Sequence, residues 1–186
     1  MLLSTTFRRS IQPIRRFVSR RVRNPRSIVN TALERLAAEI ALSDADNEFL
    51  RLEFGYACAL RVKHLLEDPE VERCLTDLGN HLSAQSDRES LKTLATESAG
   101  LANRHQGSKS IDGCGHAAVS ATYAVARAIE GKALEAASYA AYAVVYSQGG
   151  YGAVAEPESF KPEFEWQVNS LTLLAKKKHS KGASAV

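Results

Sequence analysis

Cysteine is scarce in this 186-residue chain: Cys58, Cys74 and Cys114 are the only three. Three scattered thiols cannot build a disulfide framework, and without a C-x-x-C pair they offer no metal clasp, so a reducing compartment is the simpler expectation. Five prolines and 11 glycines are too few for a collagen-like or low-complexity chain. No apolar run approaches the roughly 18 residues a membrane-crossing helix needs, which predicts a soluble protein. Hydrophobic residues at 45% and charged residues at 24% are ordinary globular usage. The length suits one domain with appended segments.

Acidic residues are missing altogether from residues 1–30, which carry eight arginines: Arg8, Arg9, Arg15, Arg16, Arg20, Arg21, Arg23 and Arg26. Residues 31–175 hold 12 Lys and Arg against 21 Asp and Glu, a net of −9, and four lysines follow. The formal charge of +3 therefore describes the ends. The expected body would repel phosphate at long range and attract basic partners. Expected boundaries are a basic arm at 1–27, one domain at 28–177 and a disordered basic tail at 178–186. Within the arm, Phe7, Ile11, Ile14, Val18 and Val22 follow spacings of 4, 3, 4 and 4, interrupted by Pro13. Three readings stay open. The arm is dispensable, or it is a mitochondrial targeting peptide, or Arg8, Arg9, Arg15, Arg16, Arg20 and Arg21 bind an anionic membrane surface or nucleic acid. A cytoplasmic location is expected, with a mitochondrial or membrane-surface one if the arm is an address.

Periodicity predicts helices throughout. A first helix is expected near 27–42, from Leu33, Leu36, Ala37 and Ile40. A second over Asp46–Glu67 should cross the core with a wide face that includes Phe49, Leu52, Tyr56, Ala59 and Leu60. Asp68-Pro69 supplies a cap oxygen and a first-turn proline for a third, with Val71, Leu75, Leu78 and Leu82 as its seam. Ser86-x-x-Glu89 has capping-box form and opens a fourth, ending before Gly107. An alanine-rich run from Cys114 to Ile129, punctuation at Gly131 and a second run from Lys132 to Ser147 follow, with Gly149-Gly150-Tyr151-Gly152 expected as a loop. Twelve alanines between residues 117 and 143 let two helices approach closely. A last helix is expected over about Pro162–Lys177. The fold class is all-α, a compact bundle or orthogonal array of six to seven helices.

Chemistry-bearing clusters are sparse. Cys114-Gly115-His116 puts a thiol and an imidazole at a helix start, where a thiolate could be favoured, but no third group orients them; a structural turn is the expected reading. Five histidines show no H-x-x-x-H pairing, and Cys74 with His81 lacks a second half, so no metal site is expected. No catalytic residue, cofactor or small-molecule substrate is indicated. Glu67, Asp68, Glu70 and Glu72 form one acidic cluster, and Glu156, Glu158, Glu163 and Glu165 another. Each reads either as a solvated helix start or as a patch that steers a basic partner. Trp166, the only tryptophan, is weighed as core packing against interface anchoring.

Three stretches carry a family likeness. They are Cys58-Ala59-Leu60 with Val62 and Leu65-Leu66-Glu67, then Gly115-His116-Ala117-Ala118-Val119-Ser120-Ala121-Thr122, and finally Glu163-Phe164-Glu165-Trp166-Gln167. In order and spacing, over about residues 54–175, the chain resembles the alanine-rich immunity proteins of bacterial polymorphic-toxin systems, the immunity-protein-five-like family. Gly115, His116, Trp166 and Gln167 match its motifs. Tyr123 stands where a further histidine is often expected, and the Gly149–Gly152 segment and the basic arm fall outside the pattern. The resemblance implies a small helical module without catalytic machinery that binds a protein, a toxin domain, and blocks it by occlusion. The partner residues to expect are Glu67, Asp68, Glu70, Glu72 and Trp166, and a net charge of −9 suits a basic toxin domain.

Overall fold

Residues 28–84, 88–105, 113 and 115–183 are described by the computed structural model. They form seven α-helices: α1 (Thr31–Glu39), α2 (Glu48–Arg61), α3 (Pro69–Ala84), α4 (Arg88–Arg104), α5 (His116–Ile129), α6 (Ala133–Ala155) and α7 (Lys161–Ala183). Short 3₁₀ turns lie at Ala45–Asn47, Lys63–Leu65 and Pro157–Phe160, and no strand occurs among the described residues. The all-α expectation holds. The six arginines assigned to anion binding, Ser86 of the capping box and Cys114 lie outside the described residues.

Helix ends follow local chemistry. The Asn30 side chain accepts from the Leu33 N–H at 3.0 Å and opens α1. That helix stops at Glu39, short of the expected 42, because Ala41 turns left-handed at φ 50°. The N–H of Leu42 then reaches the Ala37 carbonyl at 2.8 Å, and that of Ala41 reaches Ala38 at 3.1 Å, the paired bonds of a Schellman close. The same closure ends α5, where Gly131 at φ 69° sends Lys132 N–H to Arg127 at 2.9 Å. Asp68 caps α3 by accepting from Glu70 N–H at 2.9 Å, as its Asp-Pro signal predicts.

Two expected boundaries are corrected. α2 ends at Arg61 rather than Glu67, since the chain tightens into 3₁₀ geometry at Lys63–Leu65. α7 continues to Ala183, so no disordered tail begins at 178. Lys177 pairs with Glu53 at 3.1 Å, and Lys178 donates to the Asp46 carbonyl and Asn47 Oδ1, both at 2.6 Å. The glycine segment is a kink rather than a full loop. Only Gly149 and Gly150 leave helical dihedrals, Gly150 at φ 57° and ψ −142°, and a helical turn resumes to Ala155.

The alanine-rich pair occupies the centre. Ten of the 14 residues of α5 are buried, more than one face can supply, so neighbours must cover it on several sides. α6 packs along it most extensively, with α2, α3 and α4 on its other flanks. Ala124 and Ala137 are both fully buried. A Cβ placed on Gly55 of α2 would come within 3.0 Å of the Ala128 Cα, so that crossing depends on the missing side chain. One apolar cluster joins α1, α2, α5, α6 and α7. A second joins α2–α6, and α2 and α5 belong to both.

Candidate protein-binding surface

α7 lies antiparallel to α2. Arg61, at the end of α2, pairs with Glu163 at the start of α7, while Glu53, one turn into α2, pairs with Lys177 near the end of α7. These contacts identify the edge of α7 that borders α2. Helical spacing of four, three and four places Trp166, Ser170, Leu173 and Lys177 along that edge.

Both helices carry exposed apolar side chains. Leu173 is 67% exposed, Phe49 46% and Leu60 42%, three of the six exposed large hydrophobic side chains among the described residues. Phe49, Leu60 and Arg61 are the exposed residues of α2. This corrects the expectation that Phe49 and Leu60 belong to the core-facing side. α2 is covered on most of its circumference, and these two positions fall on the strip left over.

Arg61 and Trp166 form the polar edge of the seam. The guanidinium carbon of Arg61 lies 4.5 Å from the Trp166 ring centroid, while Nε donates to the Glu163 carboxylate. Trp166 is half-buried, with one side packed on the central cluster, as the core-packing reading expects, and the rest of the side chain stays accessible. Glu163 is buried, which corrects its reading as a solvated helix-start charge; Glu165, two residues on, is exposed. Burial pushes the Glu163 carboxyl upward in pKa despite the Arg61 cation beside it.

Gln167 extends this lock inward. Its amide donates to the Ala137 carbonyl at 2.9 Å, and its oxygen accepts from Asn30, which also donates to the Phe164 carbonyl at 3.0 Å. The Trp-Gln motif therefore ties together α7, α6, the start of α1 and, through Glu163, α2.

The remaining assigned residues sit elsewhere. Glu67, Glu70 and Glu72 are exposed at the corner that follows α2, where Glu72 pairs with Lys63 at 3.0 Å and Asp68 is engaged as the cap. Gly115 precedes α5, and His116 Nε2 lies 2.6 Å from the Tyr151 hydroxyl, beside Tyr146. His116 and Gly115 thus belong to the α5–α6 pair, whereas Trp166 belongs to the α2–α7 junction and Gln167 to the packing of α7 on α6 and the start of α1. Sequence reasoning does not single out Phe49, Leu60, Leu173 and Arg61 as exposed. The available signal was Leu173, which stands off the Phe164, Val168, Leu171, Leu174 stripe.

Chemically the seam offers contact area and one stacked cation. The buried thiols are poor nucleophiles: burial raises Cys58 well above the ordinary range and Cys74 to about 11. Among the described residues no three His, Cys, Asp or Glu side chains are grouped to hold a metal ion, and no helix is long and apolar enough to cross a membrane. Comparison of the chain with protein-family models, with curated proteins and with solved structures finds no match.

Proposed function

We propose that the chain is a protein-binding module that neutralises a toxin domain by covering its functional surface, as its resemblance to the immunity-protein-five-like family implies. The observation that carries the reading is the exposure of three large hydrophobic side chains, Phe49, Leu60 and Leu173, on the two helices that Arg61 joins through Glu163 and Trp166. Apolar side chains gathered on neighbouring helices suit a contact surface, and aromatic and arginine side chains dominate interface energetics. Occlusion asks for a rigid scaffold rather than a reacting group, and the closely packed α5–α6 centre supplies one. The acidic corner at Glu67, Glu70 and Glu72 would hasten encounter with a basic partner, in a salt-sensitive way.

The test is co-expression with toxin-domain proteins encoded beside this chain's gene. Wild-type protein should co-purify with one of them and restore growth. Leu173→Glu combined with Phe49→Glu should abolish both while leaving the folded content unchanged by circular dichroism. Rescue by the double variant at wild-type level would remove the seam from the function, and failure of the wild type against every neighbouring candidate would remove the toxin partner.

A further inference from the structure

A separate cleft of about 610 Å³ opens between α1, the start of α6 and the start of α7. Its size lies within the range of small-molecule sites. Leu33, Ala37 and Leu42 line it from the core, and Val29 and Leu134 stay 39% and 38% exposed at its edge. Charged residues border this apolar space as well. Lys132 pairs with Glu130 at 2.6 Å. Glu34 and Glu135 contribute negative charge to the lining.

Arg51 differs from the rest. Its Nη1 donates to the carbonyls of Leu42 at 2.7 Å and Asp44 at 2.5 Å, both uncharged acceptors. The guanidinium is thereby fixed at the Leu42 end of the cleft with its charge balanced by no carboxylate in ion-pair contact among the described residues. A pinned cation at one end of an apolar cleft is complementary to a molecule with an anionic head and a hydrocarbon tail.

We propose that the cleft binds a free single-chain amphiphile with a carboxylate head. The head meets Arg51, and the tail runs over Leu33, Ala37 and Leu42. None of Phe49, Leu60, Arg61, Trp166 and Leu173 lines this cleft, so it stands or falls apart from the toxin-binding reading.

The experiment uses the full chain and a dansylated undecanoic acid, followed by fluorescence. Dodecanoate below its micelle concentration should displace the probe, and dodecyltrimethylammonium should not. Arg51→Gln should weaken probe binding about tenfold, the loss of one charge-assisted contact. Because Arg51 also braces a turn, Ala38→Trp provides a second check: Ala38 lines the cleft but is solvent-exposed, so the larger ring blocks the space without entering the core. Its melting temperature should stay at the wild-type value while binding is lost. Equal displacement by the cationic amphiphile, undiminished binding in the folded Ala38→Trp protein, or no probe binding by wild type would each overturn the proposal. Binding that arises only after removal of residues 1–27 would also overturn it, assigning the cleft to the chain's own arm.

Discussion

The Arg61 guanidinium touches two residues of α7 at once, holding the buried Glu163 carboxylate through Nε and lying over the Trp166 ring at 4.5 Å. One side chain thus anchors an internal charge and shapes the external seam. Its removal and the removal of its partner should have unequal consequences.

Arg61→Ala leaves a carboxylate that is only 1% exposed without its counter-ion, and should cost about 2–4 kcal/mol in urea denaturation. Glu163→Gln removes the buried charge and frees Arg61, itself 37% exposed, to hydrate, so the loss should be about 1 kcal/mol or less. Equal losses would contradict the assignment of Glu163 as the desolvated partner.

The same carboxyl predicts an inverted pH dependence. Burial raises its pKa in the folded state above that of the unfolded chain, so the folded protein holds this proton more tightly. The associated stabilisation is complete below the unfolded value of about 4.3 and is lost as pH rises through the folded value. Wild type minus Glu163→Gln, measured by chemical denaturation from mildly acidic to neutral pH, should therefore shift in favour of wild type on acidification. A shift in favour of Glu163→Gln would show that the Arg61 pairing outweighs burial.

Two equivalent helix closures carry different residues, Ala41 at φ 50° and Gly131 at φ 69°. The left-handed region penalises a Cβ by about 1–2 kcal/mol, against which glycine's greater unfolded-state freedom is set. Ala41→Gly should stabilise by about 0.5–1 kcal/mol and Gly131→Ala should destabilise by about 1 kcal/mol. Thermal and urea unfolding of both variants test the pair, and same-sign changes would argue against the shared geometry.

Ala124→Leu or Ala137→Leu should destabilise by about 1–3 kcal/mol, because both positions are fully buried where α5 meets its neighbours and α6 meets its own. An unchanged thermal midpoint for either would contradict close packing there.

Cys58 and Cys74 should resist alkylation in native protein at pH 8, since both are buried and burial holds Cys74 at about 11. Peptide mapping after iodoacetamide treatment distinguishes them from each other, and rapid native labelling of either would contradict their burial.

Sequence periodicity, the Asp68-Pro69 cap, the Gly131 break and the alanine-dense runs determined that the chain is helical, where most helices begin, and which pair sits closest. These features act through local backbone geometry and through the volume of the side chain itself, both readable residue by residue. Which apolar residues remain outside was decided only in three dimensions. Phe49 and Leu60 share one face of α2 and the fully buried Phe54 another, but apolar residues lie on both faces, so periodicity does not say which one stays uncovered. Exposure depends on where α7 and α3 stop covering α2. Tertiary placement likewise turned Glu163 from a helix-start acid into a buried partner of Arg61, 102 residues away, because desolvation and pairing arise only once distant segments meet.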